Sequence, residues 1–162
     1  MTVNSVLITG GTGFFGQWMR ATQPAGIHVN YLSKKAYPTT WEMGTWSAIV
    51  HLAPISPARV LKCARKNSSR VLFASSGAVY DRDDKYSSDK RLWESMCKHS
   101  ECDVVIARPF CFVGEHMPLD LYSIGQFIQA GISGGPIRYY DIGCVRSYMH
   151  GEDLGRWMWK IL

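Results

Sequence analysis

Three glycines set between an apolar strand and a helix, at the start of the chain, constrain this sequence more than any other feature. Val3 to Thr9 reads as a short buried strand, Thr9-Gly10-Gly11-Thr12-Gly13-Phe14-Phe15-Gly16 follows it, and a helix is expected from Phe14 to Thr22. Glycines at 10, 13 and 16 let the backbone turn tightly, approach a pyrophosphate and pack the helix against the strand. The helix start then offers free N–H groups and a partial positive charge to an anion. Position after a strand and before a helix makes Gly10 to Gly16, with Gly11, Thr12, Phe14 and Phe15, a predicted dinucleotide-binding turn.

The rest of the chain repeats the alternation. Strand patterns occur at Ile27 to Leu32, at Ala48 to Ala53 (closed by Pro54), at Val71 to Ser75 and at Val104 to Ala107. Helical patterns occur at Pro57 to Lys66, Tyr86 to His99, Leu121 to Ala130 and Glu152 to Ile161. Strands separated by helices imply right-handed crossovers and a mainly parallel sheet, so the fold class is α/β, a Rossmann-like doubly wound sheet. The stretch from Lys34 to Ser47 holds Pro38, Trp41 and Trp46 but no convincing strand and helix, which implies an abbreviated sheet lacking one βα unit. A length of 162 residues fits one domain, and 46% hydrophobic content fits a packed core. The formal charge of +5 is not gathered into one run, so it favours anionic partners only weakly. No apolar stretch reaches the roughly 18 residues of a membrane span. Five cysteines form no C-x-x-C pair, and no basic stretch leads into an apolar signal core. Both point to a reducing, cytoplasmic setting without a disulfide framework.

Two further segments carry chemistry. After the second strand, where NAD-binding chains place an acidic residue on the adenosine ribose, this chain has Ser33, Lys34 and Lys35. Ser33 and Lys34 suit a ribose phosphate, so NADP is favoured over NAD. The strand ending at Ser75 runs into Ser76-Gly77-Ala78-Val79-Tyr80, and Tyr86-Ser87-Ser88-Asp89-Lys90 follows on a helix. Residues i and i+4 share a helix face, so Tyr86 and Lys90 project together. A lysine cation beside a phenol, whose ordinary pKa is about 10, favours the phenolate and makes a usable acid/base. A strand-end serine hydroxyl can polarise the oxygen that gains or loses the proton. The set Ser76, Tyr86 and Lys90 suits hydride transfer between a nicotinamide and an alcohol or ketone.

Read in order, T-G-G-T-G-F-F-G, I-V-H-L-A (Ile49 to Ala53), S-S-G-A-V-Y, Y-S-S-D-K and A-R-P-F-C-F-V-G (Ala107 to Gly114) resemble the extended short-chain dehydrogenase/reductases. From Pro118 to Leu162 the segments L-Y-S-I-G-Q-F-I, G-G-P-I and R-S-Y-M-H-G-E-D-L look like the nucleotide-sugar epimerase/dehydratase branch. The resemblance implies Tyr86 as catalytic acid/base, Lys90 as its helper and ribose ligand, and Ser76 as the polarising hydroxyl. It also implies Leu52, Ala53 and Pro109 beside the cofactor, Arg146 on the substrate's phosphates and Gln126 near its nucleotide end. Gly77 and Ala78 stand where sugar-nucleotide dehydratases of this kind carry an acidic pair. Water elimination is therefore disfavoured, and epimerisation or keto-sugar reduction remains. Cys111 stands where many relatives have asparagine, and Asp81 where a glycine is usual. Relatives also continue into a substrate-capping domain, so the expectation is one domain over residues 1–162, with 118–162 a remnant of the substrate-binding part. The implied partners are a nucleotide sugar and a second copy of the chain, since the family commonly dimerises through the Y-x-x-x-K helix and the one before it. A non-catalytic dinucleotide-binding module, or a truncated remnant, is the alternative.

The remaining candidates read as structural. His51, His116 and His150 form no metal-ligand spacing and are expected to be packed or hydrogen-bonded, with His116 the spare acid. No metal site is expected. Arg59, Lys62, Arg65, Lys66 and Arg70 lack interleaved aromatics, so they read as a solvated face and not as a nucleic-acid site. Trp157 and Trp159 are expected to cover sheet surface.

Overall fold

The computed structural model describes residues 3–33, 43–139, 143 and 145–162. In chain order the elements are β1 (Ser5–Thr9), α1 (Phe14–Ala21), β2 (His28–Leu32), β3 (Ala48–His51), α2 (Ala58–Asn67) and β4 (Arg70–Ala74). A single 3-10 turn (Gly77–Val79) precedes α3 (Lys85–Lys98) and β5 (Val104–Ala107); then come β6 (Cys111–Val113), α4 (Ser123–Ser133), β7 (Tyr148–His150) and α5 (Gly151–Ile161).

Five strands form one parallel sheet in the order β2-β1-β3-β4-β5. Such a sheet is covered on both faces, which explains why Val6-Leu7-Ile8, Ala48-Ile49-Val50 and Val71-Leu72-Phe73 are continuous apolar runs, all fully buried. On one face Met19 of α1 and Leu154 and Met158 of α5 pack on Val6, Ile8, Val50 and Leu72. The Trp159 indole fixes that layer by donating to the Met19 carbonyl at 2.8 Å. On the other face Val60, Cys63 and Ala64 of α2 pack on Leu7, Ile49 and Val71, while Cys97 of α3 packs with Phe73. The chain winds outward from β1 to β2, then returns to the other side of β1 as β3. That reversal opens a crevice at the carboxyl ends of β1 and β3, where sheets of this kind bind ligands.

The Rossmann-like expectation is met, with differences at the edges. β2 is an edge strand of this order, and among the described residues no strand pairs with its outer side. The expected loss of a βα unit falls on residues 34–47, of which 34–42, Lys34 and Lys35 included, lie outside the described residues. The expected strand over Ala48 to Ala53 ends at His51, because Leu52 and Ala53 leave the sheet to lie against the glycine turn. The parallel pair β6–β7 was not legible, since three-residue strands are too short to show an alternation. Trp159 covers the sheet as expected, whereas Trp157 stays 38% exposed at the mouth of a cavity of about 180 Å³.

Candidate active site

The crevice begins at the glycine turn. Gly10 adopts φ +74°, and a Cβ there would stand 2.8 Å from the Ala53 nitrogen, so the turn and the Leu52–Ala53 segment close on each other. A Cβ on Gly16 would meet the Gly11 carbonyl carbon at 2.5 Å, so α1 can seat only on a glycine. Gly13 is different. Its missing Cβ would have just one near neighbour, the Gly10 oxygen at 3.4 Å, so the space beside it is open. Gly13 also begins α1 with no side-chain cap and no acidic residue in the first turn. An uncapped helix start facing open space is what a pyrophosphate requires, and this donor set fits a dinucleotide. Thr12 is exposed at the same turn, and the rings of Phe14 and Phe15 pack on Phe112 (centroids 4.7 and 5.2 Å). Ser33 directly follows β2, and Lys34 lies outside the described residues.

His51 secures the floor. Its Nε2 lies 3.0 Å from the Ile55 carbonyl and must donate there, so Nδ1 accepts from the Thr9 hydroxyl at 2.6 Å. Burial lowers its pKa to about 4, so the ring is neutral. The expectation of a packed, hydrogen-bonded histidine holds. Among the described residues no cluster of three or more His, Cys, Asp or Glu could hold a metal.

Across the crevice, Lys90 reaches the end of β4, two residues before Ser76, from beneath Tyr86. The Ser76 hydroxyl accepts from the Ala78 N–H at 3.2 Å and starts the 3-10 turn, whose Gly77 N–H donates to the Pro109 carbonyl at 2.9 Å. Pro109 is thereby placed beside Ser76. α3 begins with a capping box in which the Asp84 carboxylate accepts from the Ser87 N–H at 2.8 Å, which fixes where Tyr86 and Lys90 project. Tyr86 is 44% exposed, whereas Lys90 is 3% exposed beneath it, with Nζ 5.8 Å from the Tyr86 ring centroid. The ammonium donates to the Ala74 carbonyl at 2.7 Å and also faces the Phe73 and Trp93 rings at 5.1 and 5.4 Å. Burial brings its pKa down to about 8, with Glu94 opposing the shift. Lys90 is therefore still mostly a cation at neutral pH, close to a phenol.

Two groups escaped the sequence reading. The Tyr122 phenol, which precedes α4, has its pKa raised first by burial and then by the charges of Tyr86 and Cys111. Glu94 and Arg108 form a bidentate ion pair (2.8 and 2.6 Å) behind Lys90. The spacing of Lys90 and Glu94, i and i+4 on α3, was the available signal. The two substrate-contact candidates are not assembled in the same way. Gln126 is exposed on α4 with its amide donating to the Asp120 carbonyl at 3.0 Å, and Arg146 is exposed just before β7.

Comparison with known proteins decides the family. The model of the NAD dependent epimerase/dehydratase family matches residues 40–162. The chain belongs to this family. No curated protein matches it in sequence. Among solved structures it resembles the capsular polysaccharide assembling protein CapF from Staphylococcus aureus, with TM-score 0.77 and 20% identity over 93% of this chain and 46% of that one. It also resembles UDP-N-acetylglucosamine 4-epimerase from Methanobrevibacter ruminantium M1, solved with UDP-N-acetylmuramic acid (TM-score 0.71, 19% identity, 96% of this chain and 72% of that one). A third likeness is to dTDP-4-dehydrorhamnose reductase from Bacillus anthracis strain Ames in complex with NADP (TM-score 0.75, 15% identity, 99% and 71%). The chain thus spans about half of CapF and about seven-tenths of the other two. At these identities the likeness establishes the fold. Family membership makes this an NAD(P)-type fold, and none of the described helices is long and apolar enough to cross a membrane.

Proposed function

We propose that this chain epimerises a nucleotide sugar, or reduces its keto form, with NAD(P) in the crevice and Ser76, Tyr86 and Lys90 as the reacting set. The observation that carries the reading is the buried Lys90 ammonium beneath the half-exposed Tyr86, both at the end of the strand that bears Ser76. The Tyr86 hydroxyl takes a proton from the substrate hydroxyl or returns it to the carbonyl oxygen, and the Lys90 charge stabilises the phenolate in between. Ser76 donates to the same oxygen. The nicotinamide, when bound, supplies or accepts the hydride. Gly10 to Gly16, Leu52, Ala53 and Pro109 hold the dinucleotide, Ser33 and Lys34 tilt the choice towards NADP, and Gln126 and Arg146 take the nucleotide and phosphates of the substrate from within residues 118–162. No acidic pair follows Ser76, which argues against dehydration. A cytoplasmic setting accords with the free thiols of Cys63, Cys97, Cys102 and Cys111. The homodimer expected through α2 and α3 would bring together exposed Lys62, Arg65, Lys66 and His99, so it needs counter-charges from the partner copy.

The test is purified protein with NADPH or NAD and a panel of UDP- and dTDP-sugars and their 4-keto forms, read by absorbance at 340 nm and by product chromatography. Turnover that falls by roughly 10²–10⁴-fold in Tyr86→Phe supports the reading. Turnover unchanged by Tyr86→Phe, or none with any substrate, overturns it. One observation favours the non-catalytic module instead: the Lys90 ammonium is already bonded to Ala74 and almost wholly buried. That reading predicts dinucleotide binding without any reaction.

A further inference from the structure

The Glu94–Arg108 pair has no part in the reaction just described, yet it links α3, the Ser76 turn and the segment at Pro109. Glu94 sits one helical turn beyond Lys90 on α3, with its side chain 5% exposed. Both carboxylate oxygens are held by Arg108, at 2.8 Å from Nε and 2.6 Å from Nη2. Arg108 immediately follows β5 and precedes Pro109, whose carbonyl accepts from Gly77. The other arm of the guanidinium donates to the Tyr80 hydroxyl at 2.7 Å, with its centre 5.0 Å from that ring. Tyr80 closes the Ser76 turn through its own N–H, which donates to Gly77 at 3.1 Å, and its ring stacks on Phe110 at 6.1 Å.

We infer that Glu94 and Arg108 are positioning residues, a fork with its carboxylate buried and its guanidinium part-exposed, which sets the Lys90 helix, the Ser76 turn and the Pro109 segment against one another and places an anion one helical turn from the Lys90 ammonium. The inference rests on the acid/base reading above for its consequence, though not for its geometry. A planar guanidinium is needed because two parallel bonds define an orientation, which a lysine could not. Stability alone is a weak reason for such a pair, since well-packed apolar residues often replace a buried ion pair at no loss. The groups facing Lys90 are Tyr86, Glu94 and Cys97 from its own helix and His51 from β3. His51 is neutral above about pH 4, and burial pushes the Cys97 thiol up to about 12. Glu94 is thus the anion among them at neutral pH, and its carboxyl is held below the usual range first by the Arg108 hydrogen bonds.

The experiment follows the ¹³Cε resonance of Lys90, assigned by its loss in Lys90→Arg, through a pH titration of the full chain without substrate. In Glu94→Gln the midpoint is expected to fall by about half a unit or more, because the opposing anion is gone. Arg108→Lys, which keeps the charge and loses the fork, is expected to leave the midpoint in place and to lower kcat by roughly tenfold at unchanged KM. The double variant Glu94→Met with Arg108→Met guards against unfolding. It should melt no lower than the wild type, yet show the lowered midpoint and the lower kcat. A midpoint unmoved in Glu94→Gln and in the double variant, with turnover within twofold, would reduce the pair to packing and overturn the inference. A protein that shows the shift but turns nothing over sustains the charge arm and instead rejects the proposed reaction.

Discussion

The strands around the glycine turn and the segments after Pro109 are built on different terms. Val6, Leu7, Ile8, Ile49, Val50, Leu72 and Phe73 are fully buried, divided between the two faces of a sheet that is covered on both. Between Pro109 and α5 the pattern changes: β7 is exposed along its length, Ile132 is 81% exposed and Val145 is 96% exposed. A strand buried on both faces is specified by its own sequence, since every position must be apolar. A short surface strand is specified by whatever packs on it. On the proposed reading, dinucleotide binding falls to the buried part and substrate choice to exposed segments, the usual division between scaffold and specificity.

Four substitutions press on that contrast, in order of effect. Phe73→Ala removes a ring with no exposure, under His51 (centroids 5.9 Å) and Lys90, and should cost about 3–5 kcal/mol in denaturant unfolding. A loss below roughly 1 kcal/mol would mean that the centre of the sheet is not the core described here. Lys90→Met should act in the opposite direction. The wild-type ammonium is buried with its pKa near 8, against an ordinary 10.5, so the folded chain sheds this proton more readily than the unfolded one. Its contribution to stability therefore rises from pH 8 to 10.5, and below pH 8 the full cost of burying the charge remains. The methionine variant should gain about 2 kcal/mol at pH 7, lose that alkaline rise, and lose turnover. A destabilised Lys90→Met would show that the Ala74 bond outweighs desolvation. On α4 the effects should be small. Nothing lies within 4 Å of a Cβ placed on Gly131, so Gly131→Ala should stabilise by about 0.5–1 kcal/mol. Ile132→Ala should change stability by less than about 0.5 kcal/mol; a larger loss would show that α4 buries its apolar face in solution.

The same contrast explains what the sequence made legible. The glycine turn, β3, β4 and α3 were readable because local pattern and tertiary burial agree there: apolar runs flanked by helices, and Asp84 capping the helix that carries Tyr86 and Lys90. The β6–β7 pair was not, because Cys111 to Val113 and Tyr148 to His150 acquire strand character only from each other, across a long stretch of chain. The acid/base set was visible as a spacing, but its state was not. That Lys90 would be buried against Ala74, with its charge supported by Glu94 pinned to Arg108, depends on contacts between α3 and the end of β5 that no local pattern announces. Gln126 and Arg146 were nominated through family resemblance, and their exposed positions show why residue pattern alone could not place them.

The most direct measurement is a calorimetric titration of NADPH and NADH into the wild type and into Gly13→Val. A Cβ on Gly13 meets only the Gly10 oxygen, so the added side chain should leave the fold intact, at a loss of a few degrees in melting temperature because valine is a poor helix cap, while occupying the space that the proposal gives to the pyrophosphate. Saturable one-to-one binding in the wild type, abolished in Gly13→Val with the fold intact, is the expected result; absence of binding in the wild type, or equal binding in both, would contradict a dinucleotide site at this turn.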